Sequence, residues 1–355
     1  MVDVGEERFM ALACKEAVAV EGVGEMGSLD LKLICLLNNS SALVQELIES
    51  TGDAFGITPK ADGIACLSVN KPGRILKKIA NMSIPDDPRF NALYKLEPYI
   101  EMVVNRFKEC GVHQVLPAAS LDAYVDTAVL RMNYLNDFVE ALRQEVKSTR
   151  FQSKLNSYHR SSNKNYKELM KYVEVLFERY SRLLVLRVDL SYSKENSNVT
   201  QAEAKRDRER LFQNARSNNL FDAMVGYIWK LEHGPEKGFH YHVMFFFDGA
   251  RVREDVTLAM RIGQYWMDVI TKGRGLYFNC NADKRKYRKC GIGMLNYYDE
   301  TLREGLREAL VYLAKTDLFM KLQTEGRGMG KGLYPSPKDP RGRPRAASLS
   351  KKRIT

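Results

Sequence analysis

Paired cysteines, long apolar runs and histidines are scarce or missing in this chain of 355 residues. Its six cysteines show no C-x-x-C spacing, which argues against a zinc ribbon, and we interpret them as reduced thiols. No run of roughly 18 apolar residues occurs, and the acidic start Met-Val-Asp-Val-Gly-Glu-Glu-Arg lacks the pattern of a secretory signal. These absences argue against a membrane-spanning or exported protein and favour a cytoplasmic one.

Three of the five histidines (His233, His240 and His242) nevertheless fall within ten residues of each other. Side chains alternate between the two faces of a strand, so His240 and His242 project to the same side. Two imidazoles about 7 Å apart on one strand face can both reach a divalent metal. The residues that alternate with them are all apolar or aromatic and predict a packed opposite face: Phe239, Tyr241, Val243, Phe245 and Phe247.

A third ligand follows from the pairing of two strands. Residues 226–232 also alternate, and a turn-forming stretch separates them from the histidines, so we predict a β-hairpin. Matching the apolar faces of the two strands brings Glu232 to the histidine face and requires a loop of odd length, such as 233–237. A loop of even length would bring His233 there instead. We favour Glu232, and this ligand set leaves coordination positions open for a substrate.

A helix is predicted after the hairpin. Residues 299–317 have apolar side chains at helical spacing and acidic residues in the first turn. Tyr312 and Lys315 are three residues apart on this helix and therefore share a face.

These features, in this order, resemble a known superfamily. An apolar strand at residues 183–192, the H-x-H strand and a helix with Y-x-x-K resemble the three motifs of the HUH endonucleases, which are rolling-circle replication initiators and relaxases. More narrowly, residues 229–243 together with the Tyr-Leu-x-Lys helix resemble the YagK/YfjJ C-terminal-domain family. That family is shared by filamentous-phage (inovirus-type) replication proteins and prophage genes. The resemblance covers about residues 180–333.

The resemblance implies a phage- or prophage-type replication initiator that nicks and rejoins single-stranded DNA. Tyr312 would be the single nucleophile, leaving a 5′-phosphotyrosine and a free 3′-hydroxyl, and Lys315 would clamp a phosphate or ease deprotonation of the phenol. His240, His242 and Glu232 would hold Mg²⁺ or Mn²⁺. The partners would be a replication origin and a host helicase and polymerase in the bacterial cytoplasm, without a membrane. Two alternatives remain: a non-catalytic DNA-binding regulator with this fold, and an unrelated H-x-H metal hydrolase.

Positive charge is concentrated at the end of the chain. Residues 271–355 carry 20 basic and 8 acidic residues, so the net charge of +11 lies wholly in this part. We expect it to bind DNA phosphates. The predicted DNA-binding residues are Lys284, Arg285, Lys286, Arg288, Lys289, Arg327, Lys331, Arg341 and Arg343.

Each cationic segment also has a plainer interpretation. The run at 284–289 could be a solvated loop. We predict that the glycine-rich segment 326–332 is a flexible loop that contacts phosphates. Residues 340–344, Pro-Arg-Gly-Arg-Pro, match the core of an AT-hook, although non-specific anchoring to DNA would also explain them.

We expect an α+β fold with a central antiparallel sheet built on strands near 183–190, 223–232 and 239–247. Helices at 200–217 and 253–271 would cover the apolar face and leave the histidine face for metal, Tyr312 and DNA. The predicted domains are a mainly helical N-terminal region (1–150), an HUH-type endonuclease domain (180–333) and a basic disordered tail (334–355). Residues 148–167 would be a linker or a helix break. Residues 1–120 could be an origin-recognition module, a partner module or in part an over-extended reading frame.

Overall fold

The structure of the protein is a computed structural model that describes residues 28–119, 121–234, 237–287, 289–315, 317 and 320–336. It describes only the backbone at residues 28–32, Lys286, Tyr312 and Lys315. The predicted cations Arg288, Arg341 and Arg343 lie outside the described residues, as does most of the predicted tail.

The chain alternates helices and strands. The α-helices are α1 (Ser28–Glu49), α2 (Lys71–Ala80), α3 (Pro88–Leu93), α4 (Pro98–Cys110), α5 (Val112–Ala118), α6 (Val125–Lys147), α7 (Thr149–Arg179), α8 (Gln201–Asn214), α9 (Asp255–Tyr265) and α10 (Glu300–Lys315). The strands are β1 (Phe55–Pro59), β2 (Ile64–Val69), β3 (Tyr94–Leu96), β4 (Ala123–Tyr124), β5 (Arg182–Tyr192), β6 (Met224–Gly234), β7 (Gly238–Asp248), β8 (Gly275–Asn279), β9 (Gly293–Asn296), β10 (Met320–Leu322) and β11 (Met329–Lys331). Across the described ranges, no helix has the length and apolar character needed to cross a membrane.

The chain forms two compact units, residues 1–162 with 316–323 and residues 163–315 with 324–355. In the first unit, β1, β2 and β4 form a small antiparallel sheet, and β10 pairs with β3. Helices α1, α2, α4 and α6 contribute buried apolar residues to the same core cluster as this sheet. The described part of the first unit is thus mainly helical, as predicted for the N-terminal region.

The second unit is built on an antiparallel sheet of six strands. The strand order is β11-β6-β7-β5-β8, and β9 pairs with the other half of β5. The three strands at its centre (β5, β6 and β7) are the predicted ones. β5 and β7 are longer than predicted by three and two residues, and β6 begins one residue later and ends two residues later than predicted. The α+β fold with a central antiparallel sheet and flanking helices is confirmed.

One face of this sheet is apolar and is covered by two helices. Helix α8 is preceded by the N-cap residue Thr200, whose side chain forms a capping box with that of Glu203. Its Phe212 stacks on Tyr227 of β6 with ring centroids 3.8 Å apart. Helix α9 packs on the same side, where a side chain at Gly263 would overlap the ring of Tyr277. The prediction that helices near 200–217 and 253–271 cover the apolar face is therefore correct.

The opposite face carries the histidines and is only partly open. Beyond His242 on β7, Met244 and Phe246 lie in a hydrophobic cluster with buried residues of α7 and α10. We predicted that this face would be left for metal, Tyr312 and DNA. Its half at Ile228, Met244 and Phe246 is packed under α7 and under α10, the helix that carries Tyr312, because these apolar residues require burial. His240 and His242 lie at the other end of the face.

The stretch 148–167, predicted as a linker or a helix break, contains a helix break at Ser148 but no linker. Only Ser148 interrupts the helices, with an extended backbone between α6 and α7, and residues 149–167 are helical. Buried side chains at Phe151, Tyr158, Ser162 and Leu169 continue at helical spacing through the polar stretch. This sparse stripe is enough to fix the helix, although the composition between its members is typical of a loop.

Candidate metal centre

Strand pairing brings the predicted ligands together. In the β6–β7 hairpin, Glu232 is opposite His240 and Lys230 is opposite His242, and directly opposed residues share a face. The odd loop parity and the placement of Glu232 are therefore as predicted. His233 is opposite Phe239 and packs against its ring on the other face, so it is not part of the group.

The three side chains form a tight group that could hold a metal ion. Their ligand atoms lie within 4.8 Å of one another. Oε2 of Glu232 is 3.2 Å from Nε2 of His242 and 4.0 Å from Nε2 of His240. Two donors bound to one ion at about 2.1 Å lie roughly 3 Å apart, so small shifts would suffice to close the group around an ion.

Each imidazole is fixed through its other nitrogen. Nδ1 of His242 donates to Oδ1 of Asp189 on β5 at 2.7 Å. Nδ1 of His240 donates to the carbonyl oxygen of Gly238 at 3.1 Å. Both rings therefore turn Nε2 toward Glu232, and a carboxylate or carbonyl behind a histidine is the common support of a metal-binding imidazole.

Burial and charge set the protonation of the group. Burial, reinforced by His242, lowers the pKa of His240 to about 4, so this ring is neutral at pH 7. Burial also opposes a charge on His242, but Asp189 and Glu232 outweigh it and raise the pKa of His242 to about 9. Burial favours the neutral carboxyl of Glu232, but the charge of His242 outweighs burial and lowers the pKa of Glu232 to about 2. The metal-free centre thus holds one imidazolium between two carboxylates.

One further atom fits a cation. Within the described part of the chain, Oε1 of Glu232 is buried and accepts no hydrogen bond. A buried anionic oxygen without a donor is unfavourable unless a cation reaches it. Once His242 has lost its proton, two neutral imidazole nitrogens and a carboxylate suit Mn²⁺, Mg²⁺ or another divalent ion, and the residues present therefore fit a metal.

Sequence reasoning missed two residues of this centre, Asp189 and Arg187. Nε of Arg187 is 3.4 Å from Oδ1 of Asp189, and both lie on the histidine face through their pairing with β7. Burial opposes ionisation of Asp189, but His242 and Arg187 hold its pKa well below the usual range. A signal existed, because residues 187, 189 and 191 are polar, alternate with apolar residues and share one face of the strand.

Tyr312 and Lys315 lie on α10, the helix predicted for them. Leu313 and Ala314 beside them are buried in the cluster that includes Met244 of the histidine face. The side chains of Tyr312 and Lys315 are outside what the structure describes, so their assigned roles remain predictions.

The described cations differ in their surroundings. Lys284 pairs with Asp255 at 2.7 Å, Lys289 pairs with Glu308, and Lys331 is 3.3 Å from Glu168. Arg285 and Arg327 are exposed. Among the predicted DNA-binding cations with described side chains, Arg285 and Arg327 are thus exposed and are not part of the three ion pairs above.

The glycine-rich segment 326–332 is not wholly a loop. Residues 329–331 form β11, which pairs with β6 at the edge of the sheet. Its glycines permit this approach, since a Cβ at Gly330 would lie 2.7 Å from the ring of Trp229. The backbone amide of Gly332 donates to Tyr227 and is therefore not available to a phosphate, contrary to our expectation for this segment.

Fold and site together define an α+β domain with a candidate metal centre on one face of its antiparallel sheet. The family model of the YagK/YfjJ C-terminal domain matches residues 145–332, more than half of the chain, and the chain belongs to this family. All residues of the centre lie inside the match. No curated protein and no solved structure matches the chain significantly.

Proposed function

We propose that the protein is an HUH-type endonuclease that nicks and rejoins single-stranded DNA, as a rolling-circle replication initiator of phage or prophage type. The observation that carries this proposal is the group of Glu232, His240 and His242. A hydrogen bond at Nδ1 fixes each histidine so that its Nε2 faces the carboxylate. Membership of the YagK/YfjJ family supports it, as does the order of the motifs.

The placement of α10 supports the same proposal. This helix carries Tyr312 and Lys315 in its last turn, and the neighbouring Leu313 and Ala314 pack into the cluster on the histidine face. The helix with the proposed nucleophile thus covers the face of the sheet that carries the metal ligands. The centre is buried but not sealed, since the side chains of Glu232 and Asp189 are 14% and 19% exposed.

The chemistry assigns a role to each residue. A divalent ion at the centre would polarise the scissile phosphate and offset its developing charge. Glu232, His240 and His242 hold that position, and Asp189 keeps His242 in the binding orientation. The phenol oxygen of Tyr312 attacks phosphorus, the bond to the 3′-oxygen breaks, and the proton released from the phenol balances the one taken up by the 3′-hydroxyl.

The reverse step joins strands. The phosphotyrosine keeps the energy of the phosphodiester bond, so an incoming 3′-hydroxyl can displace Tyr312 and restore the phenol. Lys315 contributes a positive charge to the phosphate in both directions. The freed 3′-hydroxyl would serve a host polymerase as primer, after a host helicase separates the strands at the origin.

A covalent adduct tests the proposal. The protein is incubated with Mn²⁺ and single-stranded DNA from its own replicon, and denaturing electrophoresis should reveal a protein–DNA species that survives denaturation. Tyr312→Phe removes one oxygen from the chain, so cleavage and adduct should vanish together while Mn²⁺ and DNA still bind. Lys315→Ala should slow cleavage but still yield some adduct, because Lys315 contributes charge and no bond.

Other tyrosines provide the controls. Tyr298 is exposed, and Tyr298→Phe should leave the adduct unchanged. The hydroxyl of Tyr287 contacts the Cys280 thiol near Asp189, and burial raises its pKa, which makes it a poor nucleophile. The hydroxyl of Tyr334 donates to Glu168 at 2.9 Å. An adduct that persists in Tyr312→Phe and maps to one of these tyrosines would refute the assignment of Tyr312.

Tight DNA binding without any adduct in the wild type would favour the non-catalytic regulator. Metal-dependent hydrolysis without an adduct would favour the unrelated metal hydrolase.

A further inference from the structure

Two apolar side chains are exposed on the same sheet face as the metal centre. Phe278 and Leu276 of β8 are 37% and 43% exposed. Phe278 is opposite Asp189, which in turn is opposite His242, and opposed residues share a face. Leu276 is likewise opposite Ser191. The next residue, Tyr277, points to the other face and packs under α9 near Gly263.

The spacing relates Phe278 to the chemistry. Strand β8 is two strands away from β7, about 10 Å at the usual separation of strands. One phosphate at the group of Glu232, His240 and His242 would therefore leave a neighbouring nucleotide over the edge of the sheet. Burying an exposed phenylalanine under a base is favourable, because every base offers a π-face for stacking.

We propose that Phe278, flanked by Leu276, is the platform on which a base of the single-stranded DNA stacks next to the scissile phosphate. This inference rests on the proposed function and adds a positioning residue that binds the substrate. Stacking does not depend on base identity, so Phe278 would hold the strand without selecting its sequence.

A second copy of the chain is a less suitable occupant. Strand β8 is an edge strand of five residues, and another copy could pair with its free backbone edge. Such pairing would extend the sheet sideways, whereas Phe278 and Leu276 project from the face and would stay exposed. A ligand that lies across the face, next to Asp189 and Arg187, covers them.

The experiment compares strands with and without bases. Binding of the full-length protein with Mn²⁺ is measured by fluorescence anisotropy, with labelled oligothymidylate of about 20 nucleotides and an abasic strand of equal length. Phe278→Ala should weaken binding of oligothymidylate about 5- to 100-fold, and leave the abasic strand and the Mn²⁺ affinity unchanged. Phe278→Trp should retain binding, and oligothymidylate should quench the fluorescence of the introduced tryptophan. This signal can be assigned to position 278, because the native Trp229 and Trp266 are buried.

The control is Met260→Ala, which removes an apolar side chain from α9, on the opposite side of the sheet, that is 48% exposed against 37% for Phe278. It should bind both strands as the wild type does. Equal loss on both strands in Phe278→Ala, no loss at all, or a change in oligomeric state without DNA would overturn the inference. If the wild type forms the adduct and Phe278→Ala binds like it, only this inference fails. If the wild type binds neither strand, the proposed function fails as well.

Discussion

His242 has a carboxylate at each ring nitrogen, Asp189 at Nδ1 and Glu232 at Nε2. This arrangement suits a proton or a metal ion at Nε2, but not both. His240 differs, because its Nδ1 donates to a neutral carbonyl and its ring is neutral at pH 7. The two histidines of one motif therefore contribute differently: His240 is ready to bind a metal, and His242 must first lose a proton.

The ligand residues can be ranked by mutation. His240→Ala and His242→Ala should abolish cleavage and metal binding but leave DNA binding largely intact, because the basic surface positions the DNA. Glu232→Ala should reduce Mn²⁺ affinity less severely. His233→Ala is the matched control, since this ring is on the other face, and isothermal titration with Mn²⁺ should show no change. Full nicking by a variant lacking both His240 and His242 would remove the metal from the mechanism.

Proton release gives a second prediction. Because the pKa of His242 is raised to about 9, metal must displace its proton at any lower pH. Mn²⁺ affinity should rise about tenfold per pH unit through the neutral range and level off above about pH 9, with about one proton released per ion at pH 7. Titrations in buffers of different ionisation enthalpy measure this number.

Asp189→Asn controls that prediction. The amide keeps the size of the side chain but removes the charge that raises the pKa of His242. In this variant the rise of Mn²⁺ affinity with pH should therefore level off at a lower pH. At high pH its Mn²⁺ affinity should be about 10- to 100-fold below that of the wild type. An affinity independent of pH in the wild type would contradict the protonation described for His242.

At the scale of elements, the β6–β7 hairpin positions the ligands through Gly238. This residue has φ +62°, and its carbonyl oxygen accepts from His240. An added Cβ would lie 2.3 Å from the carbonyl oxygen of Ser197. For both reasons, no residue other than glycine fits at position 238 unless the beginning of β7 moves.

Gly238→Ala should therefore lower both stability and Mn²⁺ affinity, although no ligand is changed. The left-handed conformation costs about 1–2 kcal/mol, and the clash with Ser197 adds to this. Gly273→Ala is the matched control, since Gly273 has φ +86° but open space around it. It should lose stability by the conformational cost alone and bind Mn²⁺ normally. Equal Mn²⁺ affinity in the two variants would show that Gly238 does not position the metal centre.

Alternation was sufficient to predict the central strands and the place of Glu232 beside the two histidines, because those signals are local and one face of each strand is predominantly apolar. The roles of Asp189 and β11 depend on pairing between segments distant in the chain, and local pattern does not specify it. For β11, glycine suggested a loop, whereas Gly330 lets the strand approach Trp229. For α7, polar composition hid a narrow buried stripe that includes Tyr158 and Ser162.

At the scale of the molecule, basic residues exceed acidic ones by 11, and several of the predicted DNA-binding cations form ion pairs with acidic side chains. Arg285→Ala or Arg327→Ala should each weaken single-stranded DNA binding and reduce the slope of log affinity against log salt by about 0.7. Lys289→Ala is the control, because Lys289 pairs with Glu308 and should change the slope less. Binding measured across a salt series decides between them, and equal effects would show that ion pairing does not protect phosphate contacts.

The pairing of β3 with β10 has a consequence for biosynthesis. Residues 94–96 find their partner strand at 320–322, more than 220 residues later. At about 5–20 residues per second, a ribosome needs roughly 10 to 45 seconds to supply it. The strand at residues 94–96 therefore stays without this partner until residues 320–322 have been synthesised. A chain stalled or truncated before residue 320 would expose that strand edge to aggregation and to quality-control proteases.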